Sequence, residues 1–138
     1  MNRSHRTDVW LPEFHSLLEG HSAMAFEWGV HDCATVAAKV LTISGHDHDY
    51  DPTEWVSART VIEMQNHLSL LHRLIDILGD PIPWGNCIVG DIAIAIQESE
   101  SARRQYIVAV FDGSRFLVPD ERGFMEIPVS DLLVGWRV

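Results

Sequence analysis

The residue best suited to covalent chemistry in this chain is Cys33, because of the segment around it, Phe26-Glu27-Trp28-Gly29-Val30-His31-Asp32-Cys33-Ala34-Thr35-Val36-Ala37-Ala38. Glycine marks a turn, Asp32 is a strong N-cap residue, and the small apolar run after it is compatible with a helix. Cys33 is therefore expected at the first helical position, among backbone N–H groups that lack helical partners. Such a position favours the thiolate, which is the nucleophilic form of cysteine. The competing reading is a small hydrophobe opening an apolar helix. His31, two residues earlier, is the nearest base in sequence, although a residue at that offset also commonly anchors a turn through hydrogen bonds. Asp32 reads as a cap rather than a triad member, with Trp28 and Gly29 supporting the turn. If the site is active, the N–H groups that open the helix would meet the oxyanion.

A second cluster of ligand-type residues is Gly45-His46-Asp47-His48-Asp49-Tyr50-Asp51. In an extended segment His46 and His48 would face one side, with Asp47, Asp49 and Asp51 adding oxygen donors. No second cluster stands at zinc-like spacing, so a solvated loop is the preferred reading and no metal or other cofactor is expected. Cys87, in Trp84-Gly85-Asn86-Cys87, is expected to pack beside a sheet.

The elements that must position these groups follow from periodicity. Trp10, Phe14, Leu17, Leu18 and His21 recur at helical spacing, which predicts a helix over 12–19 ended by Gly20. The cysteine helix should run over 33–44 and stop at Gly45. It is apolar nearly all round, as a central buried helix is. Asp51-Pro52-Thr53-Glu54 and Thr60-Val61-Ile62-Glu63 have the form of helix starts, and a further helix is expected over 70–78, before Gly79-Asp80-Pro81. Beyond that point the pattern turns to strands. Asp91–Ile96 and Tyr106–Phe111 are expected as neighbours joined by the polar loop 97–104, and Asp112-Gly113 as a hairpin turn into Arg115–Val118. Gly123–Ile127 and Val134–Val138 complete the set. Helices first and an antiparallel sheet after them give an α+β class.

At 138 residues and 46% hydrophobic, the chain is expected to form one domain over residues 1–138. Its 20 acidic residues against 10 basic ones give a formal charge of −10. Sequence-independent nucleic-acid binding needs clustered Lys and Arg, and an anionic membrane surface would repel the chain, so neither is expected as a partner. The polar start Met1-Asn2-Arg3-Ser4-His5-Arg6 carries no apolar run behind it, so no signal peptide is expected and synthesis in the cytoplasm is the expectation. Cys33 and Cys87 are expected as reduced thiols.

The spelling Trp28-Gly29-x-His31-Asp32-Cys33, followed by Gly90-Asp91-Ile92-Ala93, resembles the NlpC-type branch of the papain-like cysteine peptidases, which cut peptide bonds in bacterial cell walls. More closely, the chain resembles an uncharacterised group of phage and prophage proteins in that superfamily, with endings like Gly123-Phe124 … Ile127-Pro128 … Gly135-Trp136-Arg137-Val138. The resemblance runs from about Phe26 onward. It implies a papain-like fold in which the cysteine helix packs on the sheet and a partner histidine projects from the strand after the Gly-Asp strand. Aligned on Gly113, that position here holds Ile107, and an isoleucine cannot accept a proton. Every histidine of the chain lies at or before His72.

Three functions from different classes fit this sequence. One is a cysteine peptidase or amidase acting on peptidoglycan peptide, with Cys33 as nucleophile and His31 as base. Another is a structural tail or tail-tip protein of a phage or prophage, destined for the virion, that keeps the fold with a degenerate site. A small binding or immunity-type domain is the third. The absent strand histidine favours the structural tail protein.

Overall fold

The computed structural model describes residues 6–27, 29–48, 74–98 and 104–138. The helix starts expected at Asp51 and Thr60, the first residues of the one expected over 70–78, and Trp28 lie outside the described residues. Helix α1 spans Trp10–His21 and α2 spans Cys33–Ile43. After a helical turn at 74–78 come five strands, β1 Ile92–Glu98, β2 Arg104–Phe111, β3 Phe116–Asp120, β4 Gly123–Glu126 and β5 Leu132–Trp136, with short 3-10 turns at Trp84–Asn86 and Val129–Asp131. The strands form one antiparallel five-stranded sheet in the order β4-β3-β2-β1-β5, so the class is α+β with the helices N-terminal.

Period-2 alternation divides the sheet into two faces. Ile92, Ile94, Val108, Val110 and Trp136 point to the helices and pack with Phe14, Val36, Val40 and Leu41. Ala93, Ala95, Ala109, Phe116, Val118 and Leu132 point the other way, where Ile82, Cys87 and Ile127 from the loops cover them. Ile82 pairs with Gly135 on the outer edge of β5 through two backbone hydrogen bonds of 2.7 and 2.8 Å, and Cys87 Sγ lies so close to Gly135 that no Cβ would fit between them.

The element ends differ from expectation in instructive ways. Gly20 does not stop α1, which runs on through His21 because that side chain is docked in the core. At the end of α2, Gly45 N–H donates to Thr42 O and His46 N–H to Leu41 O, the paired bonds of a Schellman cap. Pro119 falls inside β3, but β2 pairs with β3 only at Leu117 and Phe116, so the missing N–H breaks no ladder between them. Strands β1 and β2 also run further into the expected 97–104 loop, pairing as far as Glu98 and Arg104.

Asp91 ties the chain together just before β1. Its fully buried carboxylate accepts from Ile88 N–H at 2.9 Å, from Val138 N–H at 2.9 Å and from Arg6 Nη2 at 3.1 Å. The Arg6 guanidinium also lies 3.7 Å from the ring centroid of Trp10. The acid of the Gly-Asp pair thus ties its own loop to two distant segments, at Arg6 and at Val138. Among the described residues no helix is long and apolar enough to cross a membrane.

Candidate functional site

The loop that delivers Cys33 closes on itself. Glu27 and His31 form an isolated antiparallel bridge, with His31 N–H donating to Glu27 O at 2.8 Å and Glu27 N–H to His31 O at 3.2 Å. Gly29 makes the reversal at φ 80°, a left-handed conformation that costs glycine little. Its N–H donates to Asp32 Oδ2 at 2.6 Å. Asp32, in extended conformation at the N-cap, also accepts from Thr35 N–H at 2.8 Å and from Thr35 Oγ1 at 2.9 Å. Its buried carboxylate is thereby fully engaged in holding the turn to α2.

Cys33 is the first residue of α2, half-buried and packed at the margin of the helix-side core. Neither it nor the buried Cys87 is in a disulfide. His31, by contrast, is wholly buried, with its Nδ1 2.8 Å from Nδ1 of His21 and its Nε2 2.6 Å from the carbonyl of Gly123 at the start of β4. The two imidazole planes are 22° apart with centroids at 5.0 Å, so the rings meet nitrogen to nitrogen, and the Phe124 ring closes one side of His31 at a steep angle. On the far side of His21, Lys39 Nζ stands 3.1 Å from Nε2.

The partners fix the proton positions. A carbonyl only accepts, so His31 carries its proton on Nε2. An ammonium only donates, so His21 Nε2 is the lone-pair nitrogen and Nδ1 carries the proton. His21 then donates to the free lone pair of His31 Nδ1. The result is a one-way relay, Lys39 to His21 to His31 to Gly123, in which both rings are neutral. Burial, the Lys39 ammonium and His31 together push His21 from its ordinary value of 6.5 down to about 4. Both nitrogens of His31 are engaged with these partners, and neither is directed at Cys33.

The strand position highlighted by the sequence also has a definite place. Ile107 packs against the loop-side cluster, whereas Tyr106 and Val108 face the side of α2. The residue that occupies the expected histidine position therefore points away from Cys33 across the sheet. His48 Nε2 lies 2.9 Å from Thr42 Oγ1; Asp49 and Asp51 lie outside the described residues. Among the described residues no group of three or more His, Cys, Asp or Glu side chains is placed to hold a metal ion. A cavity of about 300 Å³ runs along the outer side of α2 beside Leu17, Ala38, Lys39 and Thr42, and Cys33 does not line it.

Sequence reasoning missed His21, Lys39 and Gly123. Nothing in the spacing pairs the first two with His31. Gly123 carried one usable sign, a glycine as the first residue of an expected strand, and its role is specific. It sits at φ 97° with its α-carbon against the backbone of Ser22, where a Cβ would collide with the Ser22 carbonyl.

The chain belongs to the family described as a domain of unknown function, DUF6950, which matches residues 5–138. No curated protein and no solved structure matches it.

Proposed function

We propose that this DUF6950 chain is a papain-like, NlpC-type scaffold domain of phage or prophage origin that serves in the tail or tail tip as a structural component, without hydrolysis based on a Cys33–His31 pair. The observation that carries the reading is the state of His31. A general base needs a lone pair within reach of the proton it takes. His31 has one lone pair, on Nδ1, and it accepts from His21. Asp32 is engaged in the same structural way by Gly29 and Thr35. In this reading the Trp-Gly-x-His-Asp-Cys opening is kept for the turn it builds. The tail association rests on the resemblance of that opening, and of Gly90-Asp91 and the Gly135-Trp136-Arg137-Val138 ending, to phage and prophage sequences.

A second reading, a cysteine peptidase or amidase on peptidoglycan peptide, draws on one observation of its own. Cys33 is half-buried rather than sealed, and it opens α2, where helix N–H groups favour a thiolate and an oxyanion. This enzyme would require a base other than His31. The deciding assay incubates the purified chain and its Cys33→Ala variant with isolated peptidoglycan and follows newly released peptide amines by mass spectrometry. The scaffold reading expects no release from either protein. Release by the parent chain that disappears in the variant refutes it. The tail assignment is checked separately, by looking for the chain in purified tails of a phage that encodes it.

A further inference from the structure

We infer that His21 and His31 form an acid-released latch, which holds the last turn of α1 against the turn before α2 and against β4. The inference is independent of whether Cys33 is a nucleophile. It rests on the count of protons and acceptors in the relay. A second proton on His21 would put an N–H on Nε2, facing the Lys39 ammonium at 3.1 Å. A second proton on His31 would put an N–H on Nδ1, facing the N–H of His21 at 2.8 Å. Each added proton meets a donor in place of an acceptor, and in the first case a like charge as well.

The surrounding groups do not relieve this. Lys39 is the cation presented by α2. The turn contributes Asp32, whose carboxylate is held by Gly29 and Thr35, and Glu27, which is exposed. Among the described residues, β4 presents the Gly123 carbonyl and the Phe124 ring to the pair. The pair therefore parts when a proton is added. What it releases is specific: His21 is followed by Ser22, whose backbone lies against Gly123 too closely to admit a Cβ. Losing the latch frees that contact and the end of α1, while the β1–β2 ladder stays paired.

The direction with pH follows from linkage. His21 in the closed latch protonates at about 4, and in an opened or unfolded state at about 6.5. The open form binds more protons, so closure is fully favoured above pH 6.5 and is lost as pH falls toward 4. The shift between those values bounds the change in the open-to-closed ratio at about 300-fold.

The test uses the full chain, with long-range ¹H–¹⁵N spectra of the imidazoles and hydrogen exchange of backbone amides from pH 7.5 to 4.5. At neutral pH the spectra should show His21 protonated at Nδ1 and His31 at Nε2. On acidification the Ser22 and His31 amides should lose protection before those of Ala93 and Ala109, which face one another across β1 and β2. Lys39→Met, at an exposed position, should raise the midpoint of His21 and flatten the pH dependence of opening. His21→Asn should keep an N–H donor toward His31 and remove the part of the dependence due to His21; if that variant does not fold, Lys39→Met decides. The opposite tautomer at His21, a His21 midpoint unmoved in Lys39→Met, or loss of protection at Ser22 only together with the strand amides would each overturn the latch.

Discussion

Replacing Asp91 by Asn tests whether one buried carboxylate joins the two ends of the described fold. The substitution keeps shape and volume, so no cavity term enters. It removes the charge that faces Arg6, whose side chain is only 4% exposed, and turns one of two accepting oxygens into a donor. Asp91 Oδ1 accepts from Arg6 and Val138 N–H, and Oδ2 from Ile88 N–H, so the amide must face at least one donor whichever way it flips. Breaking a buried ion pair by removing one partner costs about 3–5 kcal/mol, and a backbone N–H left without an acceptor costs about 1–3 kcal/mol. These overlap, and the expected loss is about 4 kcal/mol, a large part of the roughly 5–15 kcal/mol that holds a domain folded. Urea denaturation followed by tryptophan fluorescence at pH 7 should show a lower midpoint with an unchanged slope. Arg6→Met should cost less, about 2–3 kcal/mol, because the carboxylate retains two backbone donors. The double variant should lose less than the sum of the two. A loss below about 1 kcal/mol for Asp91→Asn, or strict additivity, would refute the idea of a shared buried charge pair.

Gly123→Ala combines a φ of 97° with a collision against the Ser22 carbonyl, so it should cost more than the ~1–2 kcal/mol of a left-handed alanine alone, read as a lowered urea midpoint. Trp136 is fully buried and donates to Gly79 O at 3.1 Å, so Trp136→Ala should lose about 3–5 kcal/mol or leave the chain aggregated, as seen by size exclusion and thermal melting. Half-buried Cys33, at a helix start, should alkylate faster than buried Cys87 across pH 6–9 by mass spectrometry, and Cys33→Ala should leave the melting temperature nearly unchanged; equal slow labelling would make Cys33 a packing residue only.

Local rules were enough for the features whose causes are local. The cap of α2 is written in Asp32 and Thr35, and its end in Gly45, because these bonds span at most a few residues. The α+β order is equally legible, since the change from helical to alternating periodicity after residue 90 needs no partner to be seen. The end of α1 differs from expectation because propensity makes Gly20 a stop, whereas burial of His21 extends the helix one residue past it. Alternation along β2 divides its residues into two sets, but which set meets α2 depends on how the sheet lies against the helices. That is why the far-face position of Ile107 emerges only from the fold. The same holds for the roles of Asp91, His21 and His31. Sequence shows a carboxylate after a glycine and two histidines ten residues apart. Tertiary packing removes water from those groups and leaves each with particular donors and acceptors. In that dry setting a hydrogen-bond partner decides protonation, and the partner is chosen by contacts between segments up to 92 residues apart in the chain.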